Sequence, residues 1–151
     1  MPNTTEMTTD AMAVADGLRP SLLRLSRELR REARGAGVSP EQVAILVTIK
    51  YAPGICAGDL AAGERVSAAA MSKLVARLER DGLVERTPSE TDRRRVGLSL
   101  TVEGARTLRR VRSRRTAWLA TRLRELDPAA LAAVEAAVEP LARLLHEREG
   151  R

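Results

Sequence analysis

Residues Val66 to Thr101 read VSAAAMSKLVARLERDGLVERTPSETDRRRVGLSLT, and this stretch decides the fold. Ser67 is a good helix N-cap, and Val66 before it pairs with Met71 as a hydrophobic staple that fixes the entry angle of the chain. Met71, Leu74, Val75 and Leu78 then recur at i, i+3, i+4 and i+7, the period of a buried helix face. The other face reads Ala69, Ser72, Lys73, Ala76, Arg77 and Arg80: small, hydroxylic or basic, where an ordinary solvated face mixes Glu with Lys. Gly82 ends the helix. Leu83 to Thr87 reads as a strand, Pro88-Ser89-Glu90-Thr91 as a turn, and Val96, Leu98 and Leu100 alternate with Gly97 and Ser99 as a second strand. The hairpin tip carries Asp92-Arg93-Arg94-Arg95, three guanidiniums with one carboxylate placed to orient them.

Working outward, Ser39-Pro40-Glu41 opens a short helix through Tyr51. Val43, Leu46, Val47 and Lys50 are expected as its buried stripe with a charged tip, and Pro53-Gly54 as its stop. A helix of about two turns is expected from Cys56 to Gly63. Two helices, a basic third and a basic hairpin make a winged helix-turn-helix over residues 39–101.

On either side lie seams of coiled-coil spacing. From Ala11 the apolar positions are Ala11, Ala15, Leu18, Leu22, Leu25 and Leu29, with Pro20 expected to bend or restart the helix and Gly35 and Gly37 to end it. Thr101 caps a long helix with Glu103 in its first turn. After Asp127-Pro128, the last helix carries Leu131, Val134, Val138, Leu141 and Leu145. The two seams can pack on each other within one chain or form a shared dimer core, and the dimer is the preferred reading. Leu18, Leu22, Leu25, Leu131, Val138 and Leu141 are then its contacts. The expected fold class is mainly α with a small β-hairpin. Residues 1–10 are expected to be disordered, 11–36 and 102–147 to be the dimerisation helices, and 39–101 the DNA-binding domain.

Composition agrees with this architecture and removes others. The 151 residues suit one domain, and with 44% hydrophobic residues but Tyr51 and Trp118 as the only aromatics, the core must be aliphatic, a vocabulary of helices more than of sheets. Basic residues outnumber acidic ones by 26 to 20, for a net charge of +6, which favours a polyanionic partner. All the basic residues but Lys50 and Lys73 are Arg, whose planar fork suits phosphates and guanine edges. From Arg86 to Arg124 there are 12 Arg against Glu90, Asp92 and Glu103, so the positive field is densest around the hairpin and the helix leaving it. Arg109 and Arg112 on that helix are read as a solvated basic face more than as an anion pocket.

A lone Cys56 and a lone His146 supply neither a disulfide nor a zinc cluster, and Cys56 is read as structural more than redox-active. The first ten residues lack the basic and apolar segments of a secretory leader, and no stretch approaches a membrane span. A cytoplasmic setting without membrane contact is expected. No Ser/His/Asp or Cys/His set, Walker loop or dinucleotide fingerprint is present, so no enzyme activity and no cofactor or metal are expected.

Several motifs together resemble the MarR family, the multiple-antibiotic-resistance type of bacterial transcriptional regulator. They are Asp59-Leu60-Ala61, Val66-Ser67, Arg77-Leu78-Glu79, Gly82-Leu83-Val84-Glu85-Arg86, and above all Asp92-Arg93-Arg94 followed by Leu100-Thr101 and Gly104. The resemblance implies a homodimer held by the first, fifth and sixth helices, each subunit offering a recognition helix to the major groove and a wing to the minor groove of a palindromic operator. Ser67, Ala69, Ser72, Lys73, Arg77, Arg93, Arg94 and Arg95 are then the DNA-binding residues. It further implies a repressor responsive to a small-molecule effector, often an aromatic acid in relatives; here only Tyr51 and Trp118 could stack on one, and the effector is not named. One departure falls at the turn before the fourth helix, where the family often has Leu-Gly and this chain has Glu64-Arg65. The alternative function is a nonspecific or architectural DNA-binding protein.

Overall fold

A computed structural model of the chain describes residues 10–89, 92 and 94–146, with the side chain of His146 left aside. The elements run α1 (Ala11–Arg34), α2 (Pro40–Tyr51), β1 (Ile55–Cys56), α3 (Ala57–Glu64), α4 (Ala68–Arg80), β2 (Val84–Pro88), β3 (Val96–Leu100), α5 (Val102–Leu123) and α6 (Pro128–His146). The chain is therefore mostly helical with a small antiparallel sheet, as the sequence leads one to expect. The expectation of disorder over the first residues lies outside the described part, except at Asp10, whose carboxylate caps α1 by accepting from the Met12 N–H.

Three details differ from the sequence reading. Pro20 does not end and restart α1, which runs unbroken through it; Asp16 and Pro20 are both exposed, so the carbonyl that proline leaves without a partner can be hydrated. Val47 and Lys50 of α2 face outward, and the buried set is Gln42, Val43, Ile45, Leu46 and Ile49. Gln42 is buried because it closes a capping box, its Oε1 accepting from the Ser39 N–H at 2.9 Å while Ser39 Oγ accepts from the Gln42 N–H at 3.1 Å. The hairpin also gains a third strand. β1 pairs with β3, Ile55 opposite Leu98 and Cys56 opposite Gly97, giving the order β1-β3-β2. Two residues carry no readable alternation, so β1 could not be seen in the sequence.

The core gathers Leu46, Ile49, Leu60, Met71, Val75, Leu78, Leu83, Val84, Leu98 and Val111, with no aromatic ring among its buried side chains. It seats α4 through Met71, Val75 and Leu78 and joins the sheet to α2 and α5. The junction of sheet and α5 is tight. Thr101 Oγ1 donates to the Gly82 carbonyl and accepts from the Gly104 N–H, and the backbone of Gly104 lies so close to the Leu83 carbonyl that a Cβ there would overlap it.

The C-terminal end of α1 is held by α5. Arg114 Nε donates to the Glu32 carbonyl at 3.2 Å while its terminal nitrogen pairs with the Glu32 carboxylate, and Arg115 Nε donates to the Leu29 carbonyl at 3.0 Å. The Glu32 carbonyl lies in the last turn of α1, where helix carbonyls lack intrahelical partners, so Arg114 acts as a C-cap from another helix.

Candidate nucleic-acid interface

The start of α4 is set by Ser67, whose hydroxyl accepts from the Ala70 N–H at 3.1 Å. With Met71, Val75 and Leu78 turned into the core, Ala69, Ser72, Lys73, Ala76, Arg77 and Arg80 are all exposed on the other side. Among the described residues Lys73, Arg77 and Arg80 form no ion pair with a carboxylate, so their charge is available to a partner. Glu79 is different: it is paired with Arg86 of β2, which fastens the end of α4 to the wing. The face presented outward is thus small and basic. Ala69 and Ala76 allow close approach to base edges, and Lys73 and Arg77 carry donors for guanine or phosphate.

The hairpin of β2 and β3 forms the wing. Ser99 stands opposite Glu85 and Leu98 opposite Arg86, and the Ser89 N–H donates to the Arg95 carbonyl at 3.0 Å to close the loop. Asp92 orients the tip through the backbone, its carboxylate accepting from the Arg94 N–H at 2.9 Å. The Arg94 side chain is exposed and unpaired among the described residues. Arg95 instead reaches back to α3, where its guanidinium lies 3.7 Å from the Asp59 carboxylate. Arg93 lies outside the described residues. The sequence reading missed Asp59 as the anchor of the wing; the pairing spans 36 positions of chain, and no local periodicity signals it.

The terminal seams are open in the single chain. Leu22 is 44% exposed, Leu25 40%, Leu131 40% and Val138 62%, with Leu18 and Leu141 half-buried. No described side chain of α6 is fully buried although the helix is rich in Ala, Leu and Val. Apolar faces left so far in water call for a cover.

Along α5, Glu103 pairs with Arg106 and Arg110, and Arg114 with Glu32, whereas Arg109 and Arg112 have no carboxylate partner among the described residues. Arg30 and Arg115 border a recess of about 580 Å3 that Val43, Val47, Thr48 and Leu74 also line. Cys56 is buried at the start of α3. Among the described residues, no group of three or more His, Cys, Asp or Glu could hold a metal ion, and no helix is long and apolar enough to cross a membrane.

Comparison with known proteins places this geometry. Residues 38–96 match the MarR family model. The chain is 35% identical over 114 residues to an HTH-type transcriptional regulator of Mycobacterium bovis, covering 76% of this chain and 80% of that one. It is 31% identical over 81 residues to the HTH-type transcriptional repressor MdtR of Bacillus subtilis, a match that covers 54% of this chain and 52% of MdtR. The crystal structure of a transcriptional regulator from Pseudomonas aeruginosa superposes with a TM-score of 0.74 at 34% identity, covering 89% of this chain and 94% of the other.

Proposed function

The chain belongs to the MarR family of DNA-binding transcriptional regulators, and on that premise we propose that it is a homodimeric repressor that reads a palindromic operator. The observation that carries this reading is the unpaired basic and small face of α4, capped at Ser67 and backed by a core that fixes its direction. Ser67, Ala69, Ser72, Lys73 and Arg77 meet the major groove, with Lys73 and Arg77 supplying the base-reading donors. The wing tip around Arg93 and Arg94 enters the minor groove, and Arg95 steadies that tip from Asp59.

The dimer reading rests on the open seams of α1 and α6. A second copy covering Leu18, Leu22, Leu25, Leu131, Val138 and Leu141 removes apolar surface that one chain leaves wet. Two-fold symmetry in the protein then calls for two half-sites about one helical turn apart. Repression is supported by the likeness to MdtR, named a repressor. Release by an effector is supported by the recess between α2 and α4, where a bound molecule touching Leu74 would bias the position of α4.

The test is selection of duplexes from a random pool by the full chain, followed by competition of the selected sequence with random DNA. Enrichment of an inverted repeat bound far more tightly than random duplex is the expected result. No enrichment, with tight binding to every duplex, would leave the nonspecific alternative in its place.

A further inference from the structure

Arg65 is the one non-glycine residue with a positive φ among the described residues, at φ 55° and ψ 40°. Its backbone is locked there by the end of α3, the Arg65 N–H donating to the Ala62 carbonyl and the Val66 N–H to the Ala61 carbonyl at 3.1 Å. This is a Schellman ending, whose left-handed position glycine fills without strain and a residue with a Cβ does not. Such strain persists where the surrounding structure over-determines it, and it clusters at binding and switch sites.

Within the described chain the Arg65 side chain is worth nothing visible. It is exposed and forms no hydrogen bond or ion pair with any described residue. Its neighbour Glu64 does not engage it, since that carboxylate accepts from Thr48 Oγ1 on α2 at 3.1 Å. The exposed guanidinium is thus left to meet a partner outside the protomer, and its charge suits an anion. Arg65 also stands two residues before the Ser67 cap, and Ser67, Ala68, Ala69 and Ala70 are all exposed at that end of α4. A helix that meets base edges with its first turns brings the preceding turn to the wall of the groove, which is made of phosphates.

We propose that Arg65 is a phosphate clamp at the mouth of the groove, a strained position kept for DNA affinity at some cost to the stability of the fold. The proposal rests on the reading that α4 enters the groove. It differs from the roles given to Lys73 and Arg77 because a phosphate contact carries no base preference.

The two halves of the proposal have opposite signs, and Arg65→Gly separates them. It removes the charge and relaxes the backbone, so the melting temperature at matched protein concentration should rise by about 2 to 4 °C. Binding to a random-sequence duplex of about 24 base pairs, enough for two half-sites, should weaken at the same time. With ~0.9 counterion released per phosphate and two clamps in a dimer, the loss should be roughly thirtyfold at 0.15 M salt and the log–log salt slope shallower by about 1.8. Arg65→Asn, which tolerates the left-handed region without the flexibility of glycine, should lose binding equally, and Arg65→Lys should keep most of it.

Loss of affinity with a raised melting temperature supports the clamp, and no loss of fold can explain it. A wild type that binds duplex while Arg65→Gly and Arg65→Asn match it in affinity and slope overturns the clamp and leaves the regulator reading intact. A melting temperature for Arg65→Gly at or below that of the wild type overturns the stored strain. A wild type that binds no duplex brings down the regulator reading itself, and the clamp with it.

Discussion

The carboxylate of Asp59 in the first turn of α3 lies 3.7 Å from the guanidinium of Arg95 at the loop end of the wing, joining the helix-turn-helix to the hairpin across 36 positions of chain. Both side chains are more than half exposed, so the pair is worth at most ~1 kcal/mol of stability and its consequence is one of direction. Asp59 holds Arg95 against α3 while Arg94 is left to project.

Asp59→Asn should accordingly leave the melting temperature almost unchanged. In the proposed dimer it frees two guanidiniums and removes a carboxylate beside the proposed wing contact, so binding to random duplex should tighten and its salt slope should steepen by up to about 1.8. Titration at several salt concentrations measures this. An unaltered slope would mean that Arg95 lies away from the phosphates whether or not it is paired.

Lys73 and Arg77 lie one turn apart on the exposed face of α4, and neither supports the fold through a partner among the described residues. Replacing either by Ala should cost about 1 to 3 kcal/mol on the selected operator and much less on random DNA. Equal weakening on both duplexes would reduce that residue to a phosphate contact.

Why so much of this was legible in the sequence, and where legibility stopped, is seen by comparing α4 with β1. The buried face of α4 is written in the spacing of Met71, Val75 and Leu78 and its start in Ser67, signals that act within one or two turns. The wing was readable for the same reason, since Val84 to Pro88 and Val96 to Leu100 pair across a short loop. Ile55 and Cys56 become a strand only because β3 returns beside them, and Asp59 becomes an anchor only because Arg95 does. In α2 Val43 and Leu46 are buried as their spacing predicts, but Ile45 and Ile49 complete the buried face where Val47 and Lys50 turn outward, and Gln42 is buried by a capping bond that hydropathy does not reveal. The same limit covers Pro20, whose effect depends on whether water can reach the carbonyl it frees.

Gly104 offers a test of the joint between wing and α5. A Cβ there would overlap the Leu83 carbonyl, which is backbone and is also fixed by the Thr101 N–H at 3.1 Å. Gly104→Ala should destabilise the fold by about 1 to 3 kcal/mol, as overpacking does, despite the better helix propensity of alanine. Calorimetry reads the result, and a melting temperature raised by the substitution would show that the joint can open without penalty.

The seams predict a contrast between protomer and dimer. Leu22 is 44% exposed and Leu141 half-buried in the single chain, so an Asp at either position should cost a solitary protomer little. In a shared apolar core the same Asp is an unpaired buried charge costing several kcal/mol, and operator binding should be lost together with dimerisation. Sedimentation at micromolar concentration distinguishes the cases. A monomeric wild type would end the dimer reading.

Arg94 and Arg112 offer rival explanations of the same positive field. Arg94 is exposed at the wing tip and held through its N–H by Asp92, whereas Arg112 is exposed and without a carboxylate partner among the described residues midway along α5. If the wing enters the minor groove, Arg94→Ala should weaken operator binding strongly while changing stability by no more than about 0.5 kcal/mol, because an exposed tip supports little of the core. The two wings of the proposed dimer then lose two charges, and at ~0.9 per phosphate the slope of log K against log salt should become shallower by about 1.8. Arg112→Ala should change that slope much less. Operator titrations of both variants and the wild type over a range of salt decide the matter. A slope flattened by Arg112→Ala and untouched by Arg94→Ala would lay the DNA along α5 and overturn the winged-helix docking.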